Sequence, residues 1–462
     1  MNKCKLNTAL ALAVALLGGC SLIPDYERPA VPVAESWSAA PAETQDLLPW
    51  QDFFKDEQLK ALVAEALANN RDLRVALLNI EKAQAQYRIR RADLLPTIDA
   101  SVSGAHQRTP ADLSVDGYTQ TSHRYDAGVG FASYEVDFFG RVRSLNEQAL
   151  EVYLQTVEAQ RSAQIALVAE VANAYYQLQA DQQSLALSDQ TLESQHQSYL
   201  TIRSSYQEDV ATELDLSQAE STVRSAQASQ ARYQRLVEQD RNALVLLVGM
   251  PLTPEQMLPS TSAVLELDAA LPAGVPSQVL VQRPDILAAE HALKAANANV
   301  GAARAAFFPS ISLTASAGSA SGQLGDLFAG GQGAWSFVPS INVPIFNWGR
   351  NQANLDVAKV QTSIEVANYQ KAIQQAFREV ADGLVARSKL DNQVMAQQLL
   401  VKANARSFDL AQQRYETGVD TFLNSLDAQR SLFASQQELV DTRLARSQNL
   451  IALYKALGGG SE

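Results

Sequence analysis

Cys20 carries the clearest chemistry in the chain. Lys3 and Lys5 precede a short apolar run, Leu6 to Leu17, which ends in Leu17-Gly18-Gly19-Cys20. A positive start, a run too short to span a bilayer and small residues at its end read as a secretory signal over residues 1–19. Small residues ahead of a cysteine resemble a bacterial lipobox, where cleavage leaves Cys20 as the first residue, lipidated on its sulfur and its amine. Ser21 follows, and a residue other than Asp there is compatible with sorting to the outer membrane. Acyl chains anchor by burying methylenes, at about 0.8 kcal/mol each. Cys4 leaves with the signal, so the mature chain has no partner for a disulfide and no Cys-based metal site.

No constellation for catalysis accompanies it. The four histidines, His106, His123, His196 and His291, are scattered without ligand spacing. No phosphate loop, nucleophile elbow or zinc-protease motif is present. The expectation is a non-enzyme with no cofactor beyond the lipid on Cys20. Formal charge is −13, and −15 once Lys3 and Lys5 are removed. So acidic a surface argues against nucleic acid as a partner.

The elements that position these residues come twice. Arg71 to Pro96 matches Pro284 to Pro309 at an offset of 213, and Gly140-Arg141 matches Gly349-Arg350 at 209. Glu170-Val171-Ala172 matches Glu379-Val380-Ala381, and Tyr206, Val210 and Leu214 match Tyr415, Val419 and Leu423. The chain divides into the signal (1–19), an anchored N-terminal segment (20–70), a first repeat (71–250), a connection (251–283), a second repeat (284–458) and a tail (459–462).

Each repeat opens with a helix, Arg71 to Leu95 or Asp285 to Phe308, ended by Pro96 or Pro309. Two strands of period-two alternation follow, separated by loops at Gln107 to His123 and Ser319 to Gly333. Ile98, Ala100 and Val102 share one face, as do Tyr125, Ala127, Val129 and Phe131, with a parity shift near Ser133. In the second repeat Ile311, Leu313 and Ala315 alternate with polar residues, and Trp335, Phe337, Ile341, Val343 and Ile345 share one parity. Tyr125, Phe131, Tyr134, Trp335 and Phe337 are candidates for interfacial aromatic girdles. Gly140 and Gly349 turn the chain from strand to helix. Long helices come last, of about 65 and then 35 residues by count of the Gly- and Pro-poor stretches, the longer roughly 100 Å at ~1.5 Å per residue.

Amphipathic strands of about ten residues suit a membrane barrel. In lipid every backbone polar group must be paired, so the sheet must close, and four strands are too few. Several chains must share one barrel; two would give eight strands and three would give twelve. The fold class expected is an internally duplicated α+β membrane protein whose barrel continues into long helices in the periplasm.

Several runs carry a family resemblance: Pro24 to Pro29 (Pro-Asp-Tyr-Glu-Arg-Pro), Leu94-Leu95-Pro96, Phe138 to Arg141, Asn242-Ala243-Leu244, Gln282 to Asp285, Arg414 to Val419 and Leu426 to Gln429. Together with the lipobox they resemble the TolC superfamily of outer-membrane efflux proteins, most closely its lipoprotein branch of the OprM type. The resemblance implies a homotrimer with a twelve-stranded β-barrel, an α-helical barrel and an equatorial collar. It implies a lipid-anchored place in the outer membrane, a periplasmic adaptor protein and an inner-membrane transporter of the resistance-nodulation-division type as partners. The function implied is passive conduction of drugs or other small molecules through a gate at the periplasmic tip. A duct for secreted proteins or metal ions and a non-conducting surface lipoprotein are the alternatives.

The resemblance also assigns residues. Asp427 falls on an acidic ring position and Leu423 on an apolar constriction, four residues apart and so on one helix face. Three carboxylates near an axis attract cations, and an apolar ring gates by dewetting. Asn424 departs from members with a second acidic residue there. Asp215 is its counterpart in the first repeat, and Tyr415 and Asp420 sit by the same turn as candidates for inter-helix hydrogen bonds holding the tip shut.

Overall fold

The computed structural model describes residues 21–34, 49–254, 256 and 277–459. The signal segment, Cys20, most of the connection at 251–283 and the last three residues lie outside these. The elements in order are α1 (Trp50–Phe53), α2 (Glu57–Asn69), α3 (Arg71–Ala92), β1 (Asp99–Thr109), β2 (Gln120–Val136), α4 (Arg141–Gln207) and α5 (Glu213–Val248), followed by α6 (Pro284–Ala305), β3 (Ser310–Ser321), β4 (Gly333–Asn342), α7 (Arg350–Glu416) and α8 (Phe422–Ala456). α3 to α5 and α6 to α8 repeat one order, and α4 and α7 are each 67 residues long. Among the described residues no helix is long and apolar enough to cross a membrane.

The residues form two compact units. The first holds the four strands, residues 21–30, and the adjoining parts of the helices. Its sheet is antiparallel throughout, in the order β1-β2-β3-β4. Register puts Val102, Tyr125, Val129, Phe131, Ile311, Leu313, Trp335, Phe337 and Ile341 on one face, and Ser101, Ser103, Asp126, Ser312, Thr314 and Ser336 on the other. The parity shift in β2 is a bulge between Phe131 and Tyr134, with Ser133 at φ 55°. One extra residue there returns Tyr134 and Val136 to the apolar face, opposite Leu313 and Ile311. The Tyr134 hydroxyl donates to the Leu94 carbonyl at 3.0 Å, which ties β2 to the turn ahead of β1. Within one chain β1 and β4 are open edges whose ladder groups await partners.

Six boundaries differ from the sequence reading. β1 runs to Thr109 and β2 starts at Gln120, so His106 and His123 lie inside strands, not at the ends of a loop. β3 extends to Ser321, and β4 stops at Asn342, leaving Val343 and Ile345 outside it. α3 and α6 end three residues early, because the residues before Pro96 and Pro309 tighten into i→i−3 turns (Leu95 N–H to Ala92, Phe308 N–H to Ala305).

At the exits from the sheet, Gly140 and Gly349 take φ 74° and 80° immediately before α4 and α7. The Asp137 carboxylate accepts from the Val142 and Arg143 amides at 3.0 and 2.8 Å and so caps α4. Glu135 accepts both arms of Arg141 at 2.7 and 2.5 Å. Phe139 stacks on Phe308 with ring centroids 4.7 Å apart.

The second unit buries Phe53, Phe54, Leu59, Leu62, Val63 and Ala66 of α1 and α2. Phe53 stacks on Tyr454 at 3.9 Å, and Asp56 caps α2 through the Gln58 and Leu59 amides. Arg283, 8% exposed, donates to Asp285, Glu379 and the Ala456 carbonyl, so the Gln282 to Asp285 run serves as a junction between α6, α7 and α8.

Candidate functional site

The gate and tip residues named from the sequence, Asp215, Tyr415, Asp420, Leu423, Asn424 and Asp427, lie at the ends of the long helices, inside the second unit. Both helix pairs turn the same way. The Val210 and Val419 amides reach back to the Ser205 and Arg414 carbonyls, and Asp209 (φ 56°) and Gly418 (φ 71°) supply the left-handed residue. Asp tolerates that conformation better than most side chains, and Gly adopts it freely.

The two turns are locked differently. Thr212 and Asp215 form a reciprocal capping box at the start of α5. In the second repeat their counterparts are Thr421 and Asn424, and Thr421 makes no side-chain cap. Asp420 replaces the box. Its carboxylate accepts from Arg414 Nε at 3.1 Å, from the Thr421 amide at 3.0 Å and from Asn424 Nδ2 at 2.5 Å. The Arg414 bond foremost, then the Thr421 and Asn424 bonds, hold this carboxyl below the ordinary Asp range. The first repeat has Ser205 and Ala211 at the matching places, so this lock belongs to the second turn.

Beneath the turns, Ile202, Ala219, Phe422 and Leu426 form a small buried cluster, flanked by Tyr199, Ala211, Leu216 and Tyr415. Tyr415 contributes a ring contact to Phe422, with centroids 5.6 Å apart. Burial, with the charge of Asp215 behind it, raises the Tyr415 hydroxyl above its usual pKa. Across the same region Gln429 donates to Ser194 Oγ at 2.9 Å.

On α8 the faces separate. Phe422, Ser425 and Leu426 turn into the chain's own core, while Leu423, Asn424 and Asp427 are exposed. Leu423 is 41% exposed and the Asp427 side chain 62% exposed. Arg430 approaches Asp427 at 3.5 Å from one turn on. The i, i+3 spacing carried that signal, and the sequence reading passed over it.

A further arrangement, within the first unit, lies just after the expected lipid anchor. Residues 22–28 run along α6: Arg304 donates to the Leu22 carbonyl, Asn297 to the Pro24 carbonyl, and Arg28 to both oxygens of Glu290 at 3.3 and 2.7 Å. Glu290 is 3% exposed and also holds Tyr26 and Lys294. The Pro24 to Pro29 run is thus part of a strap that fastens residues 22–28 to α6.

Residues 62–250 and 275–459 match the family model for outer membrane efflux proteins. The chain is 52% identical to the toluene efflux pump outer membrane protein TtgC of Pseudomonas putida, over 98% of this chain and 95% of that one. The antibiotic efflux pump outer membrane protein ArpC of Pseudomonas putida shows the same identity and coverage. Among solved structures, the open state of the Neisseria gonorrhoeae MtrE outer membrane channel superposes with a TM-score of 0.86 at 40% identity, covering 96% of this chain and 99% of that one.

Proposed function

This chain belongs to the outer membrane efflux protein family, and from that premise we propose that three copies form the outer-membrane duct of a tripartite efflux system, closed at its tip by Leu423 and Asp427. The observation that carries the gate is the division of α8. Phe422, Ser425 and Leu426 pack into the chain's own core, while Leu423 and Asp427, four residues apart and so on one helix face, lie exposed away from it. Threefold repetition gives an apolar ring with an acidic ring one turn on, suited to dewetting and to cation preference.

The sheet supports the trimer. One apolar face, one polar face and two open edges in each four-stranded unit are satisfied when β4 of one chain pairs with β1 of the next and twelve strands close. Lipid on Cys20 and the Arg28–Glu290 strap that follows it hold the chain at the outer membrane. A periplasmic adaptor and an inner-membrane transporter of the resistance-nodulation-division type complete the path. By likeness to TtgC and ArpC the cargo is small organic molecules, solvents and antibiotics among them.

Complementation tests the reading. In a host lacking its outer-membrane efflux channel but keeping adaptor and pump, this chain restores tolerance to toluene and to antibiotics, and needs both partners to do so. A well-expressed trimer in the outer membrane that restores neither would contradict it.

A further inference from the structure

His106 and His123 are direct cross-strand partners in β1 and β2. Their Nδ1 atoms lie 2.5 Å apart and their ring centroids 4.8 Å. Residues opposite each other on antiparallel strands have Cβ atoms about 4.5–5.5 Å apart, which lets two imidazoles converge on one point. The convergence is held from one side. The Tyr125 ring lies over Gly104, where a Cβ would meet it at 3.3 Å, and stands edge-on to His106 at 5.5 Å between centroids.

The chemistry at that point is narrow. Two Nδ1 atoms this close either share one proton or hold one cation in its place, with each Nε2 as the other tautomeric site. Neutral imidazole is a ligand for zinc, copper and nickel rather than for hard cations. A Zn–N bond is about 2.0–2.1 Å, so a metal between the rings asks only a small opening rotation of two exposed side chains. Among the described residues no group of three or more His, Cys, Asp or Glu surrounds a common point. An ion held here would take its remaining ligands from water and would exchange readily. The other charged groups nearby are Arg108, two residues along the same face of β1, and the Arg124–Asp126 pair, where Asp126 and its partner Ser103 belong to the opposite face.

We propose that His106 and His123 form a two-imidazole site that takes one divalent transition-metal ion per chain, at the end of the sheet nearest the β1–β2 connection. The ion would clip the two strands together below residues 110–119. Its location at the outer surface of the membrane rests on the duct reading; metal binding itself does not, and the two fail separately.

Untagged trimer in detergent is titrated with Zn²⁺ by calorimetry and with Cu²⁺ by electron paramagnetic resonance. The expected result is one ion per chain and a Cu²⁺ spectrum with two coupled nitrogens. His106→Asn and His123→Asn each weaken Zn²⁺ binding by at least about tenfold, while His196→Asn leaves it unchanged. The spectrum of the unaltered protein decides the point even where a variant folds poorly. No bound ion at millimolar Zn²⁺, a pair that only shares a proton, or equal binding by both single variants would overturn the proposal.

Discussion

Arg414 reaches across the α7–α8 turn to Asp420 at 3.1 Å, and the same carboxylate holds the Thr421 amide and the Asn424 side chain. One acidic side chain thereby fastens the end of one long helix to the start of the next. The first repeat does this with the Thr212–Asp215 box instead.

That lock is acid-sensitive, with a definite sign. A carboxyl held below its ordinary pKa supports the native arrangement above that ordinary value, about 4. The support is lost as pH falls through the depressed one. Conductance of the unaltered trimer should rise when the tip-side bath is taken well below pH 4. Asp420→Asn should be severalfold more conductive at neutral pH and respond less to acid than the unaltered trimer. Both are read in planar bilayers, with thermal melting as a check that the fold is retained.

Arg430 answers part of the Asp427 charge from 3.5 Å, and both are largely open to water. Screening keeps such a pair weak, so Arg430→Ala should leave thermal stability unchanged. It should raise cation over anion selectivity, measured as a reversal potential in a salt gradient.

The strap at Arg28 and Glu290 is a bond to a nearly fully buried carboxylate. Desolvation pushes Glu290 up, and the bonds from Arg28 and Lys294 more than reverse it, leaving its pKa below the ordinary value. Arg28→Ala removes two charge-assisted bonds and should cost about 1.5–3 kcal/mol. The loss is read as a lower melting temperature and as faster proteolysis within residues 21–34.

Asp240 of α5 and Asp181 of α4 form a carboxyl pair inside the second unit. Burial first, then the bond to Asp181, raises Asp240 to about 7. A raised carboxyl contributes stability below its unfolded pKa and loses it as pH rises through the folded value. The protein should therefore melt lower at pH 8 than at pH 5. Asp240→Asn should recover a few degrees at the higher pH and little at the lower.

Much of this was readable from the residues. The Gly- and Pro-poor stretches marked two long helix pairs, and the strand parity, its shift at Ser133 included, marked one apolar face. What escaped was set by backbone or by distance. β1 continues through Gln107 and Arg108 because a ladder pairs amides and carbonyls whatever the side chains are. That continuation is what brings His106 against His123. The Arg414–Asp420 bond needs the left-handed turn at Gly418 to close a gap of six residues. The Arg28–Glu290 bond joins residues 262 apart, which no local pattern announces.

The central claim is a gated duct with Leu423 and Asp427 at its narrowest ring. Its most direct test is single-trimer conductance and ion selectivity in planar bilayers, for the unaltered protein and for Asp427→Ala. A small, cation-selective conductance that loses its selectivity or grows in the variant is the result predicted. Well-folded trimers that pass no current, or a conductance identical in size and selectivity with and without the Asp427 carboxylate, would contradict it.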